Sequence, residues 1–373
     1  MNKPSLELKQ KNRNNIYRLI HRNGCVSKQM IVNELGLSLP TVTQNLVELK
    51  EEGIVCEQGS FGNTGGRRAR GYAVVPEARL SVGVDINRQH CSAVLVDLCG
   101  KILAQKREYR LFENTEAYYR DAASMVEALL SECSVSPDQV LGVGIALQGI
   151  IAPGGNRVAY GEILNLTGET IQRIGRDLPY PKVLLHDSDM AAFAEQWSSG
   201  LIDRAFYLSL STNLGGALID ASAVHPEGDF GLGRIEHMTL VPDGRRCYCG
   251  QSGCADAYCS TTVLTEATED GRLSTFFREL EAGNEATAAV WDDYLNKLAI
   301  VLNNACMLFD CPVVLGGYLG EYLDPYMDEL KRRAYRRNSF DRDRDYLSLG
   351  TVRQEPVAVG AALQYVELFL ASV

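Results

Sequence analysis

One imidazole and three thiols, His237, Cys247, Cys249 and Cys254, lie within eighteen consecutive residues of this chain. Gly244, Gly250 and Gly253 let the intervening backbone fold back on itself. A Cys₃His set makes a closed tetrahedral shell that suits Zn²⁺. It leaves no position open for water, so it reads as a structural site rather than a catalytic one. A segment of this kind must be held as a compact metal-bound loop, and the spacing, the glycines and the His agree on that reading.

The other cysteines are scattered, and the total of eleven is odd. That pattern fits free thiols in a reducing cytosol better than a disulfide framework, and it predicts a cytoplasmic protein. Cys259 falls outside the spacing of the shell and is expected to be a small buried apolar residue. A chain of 373 residues predicts two or three domains with sizeable cores. No apolar run has the length needed to cross a bilayer, and the first residues lack the apolar core of a signal peptide. Charge is unevenly placed. Residues 1–80 carry twelve Lys and Arg against seven Asp and Glu, a balance of +5, whereas the remainder carries −15. A basic head on an acidic body suggests that the head meets a polyanion.

Within the head, residues 12–22 place Ile16, Leu19 and Ile20 on one helical face, and Gly24 ends that helix. Ser27 is positioned to cap a helix over 28–35, closed by Gly36. Ser38 caps a third helix, with Pro40 in its first turn and Val42, Leu46 and Leu49 as its buried stripe. Thr41, Thr43, Gln44 and Asn45 are then expected to face outward. Two short helices joined by a tight glycine turn make a helix-turn-helix, whose second helix lies in the major groove. Amides and hydroxyls suit that place, because Gln and Asn pair bidentately with adenine and Ser and Thr contact bases or phosphates. Residues 54–75 read as two strands around a glycine-rich basic tip, a wing, where Arg67, Arg68 and Arg70 could bind phosphates or enter the minor groove. The alternative is a three-helix protein-interaction module with a solvated basic loop. The expected DNA-binding domain is 1–76, with a linker at Pro76–Arg79.

The body alternates strands and helices. Strands are expected from Ser81, Cys91, Ile102, Val140, Lys182, Ala205, Gly216 and Val313, and a helix over 115–133, which indicates an α/β architecture with mixed sheets. Residues 80–373 resemble the ROK family, which groups bacterial sugar kinases with sugar-responsive repressors. The resemblance rests on Cys247-Tyr-Cys-Gly-Gln-Ser-Gly-Cys254 with His237 ahead of it, on Gly149-Ile-Ile-Ala-Pro-Gly154, Asn165-Leu166, Asp187-Ser-Asp-Met-Ala-Ala192 and Leu315-Gly-Gly-Tyr318. The winged head with Thr64-Gly-Gly-Arg-Arg68 resembles the repressor branch. The implied fold is α/β: an N-terminal winged helix-turn-helix followed by a two-lobed actin/hexokinase-like body with a structural zinc site. Lobe one is expected over about 80–185 plus the C-terminal helix at about 355–373, and lobe two over about 186–354.

Kinases of the family carry Asp-x-Gly-Gly-Thr after the first strand, so that backbone N–H groups can approach the ATP phosphates. Here Asp85-Ile-Asn-Arg-Gln89 puts Asn87 and Arg88 where the glycines belong, which argues against ATP turnover and for a non-enzyme. The second phosphate loop, Ser211-Thr-Asn-Leu-Gly-Gly216, is partly retained. By resemblance, Asp187 matches the catalytic base, His186 stands where kinases have a sugar-binding Asn, and Gly154, Asn165, Arg234, His237 and Asp256 complete the implied effector pocket. Gly233-Arg-Ile-Glu-His237 departs from the family's Gly-Glu-x-Gly-His. The Arg234 cation either favours an anionic sugar phosphate or sugar acid, or pairs with Glu236 or Asp256 and fills the pocket. The expectation is a repressor of carbohydrate-use genes that binds double-stranded operator DNA as a dimer or larger homo-oligomer and senses a sugar-type effector. The competing expectation is a sugar kinase with an appended DNA-binding head.

Overall fold

The computed structural model describes residues 3–61, 69–200, 203–220, 233–338 and 344–373. The chain begins with α1 (Lys3–Asn23), β1 (Cys25–Ser27), α2 (Lys28–Leu35), α3 (Leu39–Glu51), β2 (Val55–Phe61) and β3 (Ala69–Val74). The three strands form an antiparallel sheet in the order β1-β3-β2. Local chemistry sets these boundaries. The Ser27 hydroxyl accepts from the Met30 amide and the Ser38 hydroxyl from the Thr41 amide, each satisfying an orphan donor of a first helical turn. Gly36 closes α2 in the left-handed region at φ +63°, where a Cβ would be strained. α1 starts well before the expected residue 12. Tertiary contacts extend it: Gln10 donates to the Ser372 carbonyl at 2.8 Å, and Lys9 pairs with Glu48 at 2.8 Å.

The body opens with β4 (Leu80–Ile86), β5 (His90–Asp97), β6 (Ile102–Tyr109), α4 (Glu116–Glu132), β7 (Val140–Leu147), β8 (Ile150–Ile151), β9 (Val158–Tyr160), α5 (Ile171–Ile174), β10 (Lys182–His186) and α6 (Asp187–Ser199). Five of these strands form one sheet in the order β10-β7-β4-β5-β6, parallel across β10-β7-β4 and antiparallel from there outward. Next come β11 (Arg204–Leu210), β12 (Leu214–Asp220), α7 (Asp256–Cys259), α8 (Thr262–Thr265), α9 (Leu273–Glu281), α10 (Glu285–Phe309), β13 (Val313–Gly316), α11 (Met327–Tyr335), β14 (Leu347–Leu349) and α12 (Pro356–Ser372). A second sheet runs β12-β11-β13-β14. The body is therefore α/β.

Two helices link the sheets. Ala191 and Ala192 of α6 and Val357 and Ala361 of α12 share one apolar cluster with Ala146 of the first sheet and Tyr207 and Ala217 of the second. Small residues let these helices approach closely. A Cβ on Gly360 of α12 would stand 1.8 Å from the Met190 carbonyl oxygen of α6, so any side chain there would force the helices apart. Further along, Leu363, Val366 and Leu370 of α12 join a common core with Ile16, Tyr17 and Ile20 of α1. Head and body thus share a hydrophobic core. Each fully buried side chain in it contributes roughly 1.5–3 kcal/mol by removal from water.

Candidate functional site

The outer surface of α3 carries the polar residues expected there, with one exception. Ser38, Pro40 and Gln44 are exposed, and Thr41 and Thr43 are partly so. Asn45 is buried, and its amide donates to the Thr41 carbonyl at 2.8 Å. It stands one position before Leu46 on the stripe that faces the core, so it braces the helix rather than facing outward. Leu39 and Val47 are instead exposed. Arg70 projects into solvent from β3, where Glu57 accepts from it at 2.8 Å. Arg67 and Arg68 lie outside the described residues.

In the body, a cavity of about 440 Å³ opens between the two sheets. Its walls come from four places: the end of β7 (Gln148), the segment after β9 (Glu162), the β10–α6 junction (His186, Asp187, Asp189), and the segment after β12 (Arg234, Glu236, His237). The junction arises because β10 ends at His186 and α6 begins at once, so the first helical turn is delivered to the sheet's edge. Of the expected effector residues, His186, Asp187, Arg234 and His237 line this cavity. Gly154, Asn165 and Asp256 do not. Gly154 and Asn165 are exposed in turns with φ of +82° and +50°. Asp256 is buried and spends a carboxylate oxygen on the Leu214 amide at 2.8 Å, which ties α7 to β12. Gln148, Glu162, Asp189 and Tyr248, which the sequence did not single out, do line the cavity.

Acidic groups dominate the electrostatics here. The His186 ring lies 3.7 Å from Asp187 and 3.5 Å from Asp189. Burial works against the charged imidazole, but Asp189, Asp187 and Glu236 outweigh it and raise the His186 pKa. Burial raises Asp187 and Asp189, with His186 opposing in both cases. Burial also pushes the Glu236 carboxyl up to about 7.

His237, Cys247, Cys249 and Cys254 come together beside the cavity, with one ligand atom from each lying within 4.8 Å of the others. Cys249 Sγ stands 3.7 Å from Cys254 Sγ, and Cys247 Sγ 3.8 Å from His237 Nδ1. The four can hold a metal ion. The opposite ring nitrogen, Nε2, faces the Tyr248 hydroxyl at 3.2 Å, so His237 belongs to the metal group on one side and to the cavity wall on the other.

Residues 81–363 match the model of the ROK family. This chain belongs to the ROK family. Among curated relatives, a putative xylose repressor of Caldicellulosiruptor sp. (strain Rt8B.4) is 24% identical over 353 residues, 88% of each chain. The DNA-binding transcriptional dual regulator NagC of Escherichia coli (strain K12) is 24% identical over 265 residues, 69% of this chain and 64% of its own. Among solved structures, a ROK family transcriptional regulator, a homologue of the E. coli MLC protein, superposes with TM-score 0.76 at 19% identity and covers 98% of both chains. A ROK family glucokinase from Streptomyces griseus, in complex with glucose and AMPPNP, gives TM-score 0.63 at 21% identity over 76% of this chain and 98% of its own. The fold is thus shared by regulators and kinases of the family.

In this ROK chain the turn after β4 is closed by a side chain. Asn87 Oδ1 accepts from the amides of Gln89 and His90 at 2.9 and 3.0 Å, which closes a tight hairpin with a side chain where glycines were expected. From the second sheet's side, Tyr318 reaches across. Its hydroxyl donates to Asp85 at 2.7 Å and lies 2.8 Å from His90 Nε2, and Asn87 donates to it at 3.0 Å. Burial, reinforced by Asp85, holds the Tyr318 phenol protonated. Nearby, Glu355 accepts from Ser92 and from Arg107, both at 2.6 Å. Asp85, His90 and Glu355 are spaced closely enough to hold a metal, but Asp85 already pairs with Tyr318 and Glu355 with Arg107.

Proposed function

We propose that this chain is a DNA-binding transcriptional regulator, a repressor of carbohydrate-use genes that acts in the cytoplasm and senses a sugar-type effector in the cavity between its sheets. The carrying observation is α6. Its first turn lines the cavity through Asp187 and Asp189, and near its other end the Trp197 ring meets the His21 ring of α1 edge-on at 5.8 Å. His21 is in turn anchored to the Leu98 carbonyl at 2.7 Å. A shift of α6 on effector binding would therefore reach the head through direct packing. The effector must favour one arrangement by differential affinity for the switch to operate.

The head supports the DNA part of this reading. Its helix order, its α2–α3 pair joined through Gly36 and its three-stranded sheet fit a winged helix-turn-helix, with α3 presenting Thr41, Thr43 and Gln44 to the major groove. A symmetric dimer on a palindromic operator follows from that docking mode. The names of the xylose and NagC relatives support the regulatory role and the carbohydrate link. Among metals, Zn²⁺ suits the Cys₃His group, because tetrahedral thiolate ligation at about 2.3 Å sets sulfurs about 3.8 Å apart. A bound Zn²⁺ would fold the 237–254 segment and hold it against the cavity.

A kinase role is disfavoured by the Asn87 hairpin and the Tyr318 contacts, which fill the turn where the family's phosphate loop would stand. The decisive experiment selects operator sequences with the purified full-length chain, then measures affinity against salt and against a sugar panel. Sequence-selective binding that weakens steeply with salt and is altered by a sugar is expected. No sequence-selective binding, or ATP-dependent sugar phosphorylation abolished by Asp187→Asn, overturns the reading.

A further inference from the structure

Two buried oxygens of the cavity wall lack a donor among the described residues. Gln148 is 5% exposed, and its Nε2 donates to Asn213 at 3.3 Å, but among the described residues no group donates to its buried Oε1. Glu236 Oε2 is likewise buried with no donor among the described residues, and its Oε1 approaches His237 Nε2 only at 3.9 Å. Beside them stand Asp187 and Asp189, with side chains only 22% and 30% exposed and one imidazole, His186, between them. Arg234 also lines the cavity but is exposed, so the carboxylates are set deeper than the cation. The metal group does not redress this balance, because three thiolates and a neutral imidazole around a divalent ion carry a net negative charge.

We propose, resting on the effector reading above, that the cavity selects a polyhydroxylated ligand bearing a protonated amine: an amino sugar with a free ammonium group. An ammonium brings three donors and no acceptor, which suits the orphaned oxygens of Gln148 and Glu236. Asp187, whose Oδ1 accepts from the Ser188 amide at 2.8 Å, and Asp189 add carboxylates beside them. Charge-assisted bonds to carboxylates are shorter and stronger than neutral ones. A neutral sugar hydroxyl can donate, but it adds acceptor lone pairs to a surface already rich in them. N-acetylation removes the cation. A phosphate ester adds an acceptor-only dianion facing Asp187, Asp189 and Glu236, so the exposed Arg234 does not make this a sugar-phosphate site.

The test uses the full-length protein with its metal content verified. Calorimetry and thermal shift are run with glucosamine, galactosamine and mannosamine beside their neutral parents, N-acetyl derivatives and 6-phosphates. At least one free amine should bind about tenfold or more tighter than its parent, a difference that weakens with added salt. Glu236→Gln and Asp189→Asn should each reduce the amine-to-parent affinity ratio by about tenfold. Asp189 is remote in sequence from the metal ligands, which guards against a loss that reflects only a disturbed metal segment. A neutral, N-acetylated or phosphorylated sugar that binds as tightly as its amine, or ratios unmoved in both variants, overturns the charge selectivity while leaving a sugar-responsive regulator standing. Failure of every sugar in the panel to bind overturns both.

Discussion

Two polar clusters occupy the space between the sheets, and they are built to opposite ends. Around Tyr318, the hydroxyl meets Asp85, His90 and Asn87, while Ser92 and Arg107 satisfy Glu355. Around His186, carboxylates crowd the imidazole, and two buried oxygens, on Gln148 and Glu236, have no donor among the described residues. A satisfied network rigidifies the place it occupies, whereas an incompletely satisfied one is costly until something supplies the missing donors. The first cluster ties strand β4 to the segment after β13. The second leaves a cavity at the head of α6, the helix that reaches α1. The chain therefore braces one end of its cleft with its own side chains and keeps the other receptive.

The largest expected effect breaks the receptive cluster alone. Stripping the metal that the His237, Cys247, Cys249 and Cys254 quartet would hold with a strong chelator, or Cys249→Ser, should unfold the segment that supplies Glu236, His237 and Tyr248 to the cavity wall. Structural zinc binding contributes on the order of 10 kcal/mol where it organises a small fold. Effector affinity should fall by about a hundredfold or more, together with a lower Tm. Retention of effector affinity by metal-free protein would show that the wall stands without its metal. The next effect breaks the satisfied cluster. Arg107→Met leaves Glu355, 7% exposed, without its cation. Removing one partner of a buried pair costs about 3–5 kcal/mol, read by urea denaturation. A loss below about 1 kcal/mol would mean that Ser92 alone satisfies the carboxylate.

How legible each cluster was follows from how its residues are brought together. The metal quartet is local, so spacing alone located it. The head was legible for the same reason: Ser27, Gly36 and Ser38 act on residues within one turn of themselves. Asn45 was misplaced because helical periodicity left it at the margin of the stripe, and only its hydrogen bond to the Thr41 carbonyl shows which way it turns. The cavity wall depends on sheet register and loop path. Gln148 reaches it only because β7 lies beside β10, with Leu147 opposite His186. Tyr318 meets Asp85 across a separation of 233 residues, which no local pattern encodes. Family resemblance supplied His186 and Asp187, which line the cavity, and also Gly154, Asn165 and Asp256, which the fold places outside its lining.

A smaller effect sharpens the brace. Tyr318→Phe keeps the ring under Arg107, whose guanidinium lies 5.1 Å from its centroid, but leaves buried Asp85 without that donor. The expected cost is about 1–3 kcal/mol, and the looser cleft should alter how strongly effector changes DNA affinity. An unchanged coupling factor, measured as operator affinity with and without effector, would mean that the brace sits outside the switch.

The smallest effect distinguishes the clusters by pH. Asp187 and Asp189 have folded pKa values raised by burial, and His186 has one raised against burial by its carboxylate neighbours. For each group the folded protein holds its proton more tightly than the unfolded chain does. The associated stability is thus fully present below the unfolded pKa, near 4 for Asp and 6.5 for His. It is lost as pH rises through the folded value, and all three groups act in the same direction. Stability of the effector-free protein should therefore decline from mildly acidic to neutral pH and beyond, by at most about 1.4 kcal/mol per pH unit for each proton released. Asp189→Asn removes one of the three groups and relieves its pressure on His186, so its urea midpoint should fall less over the same range than that of the parent chain. Parallel pH profiles for the two proteins would show that the carboxylates around His186 are not the strained group that their burial implies.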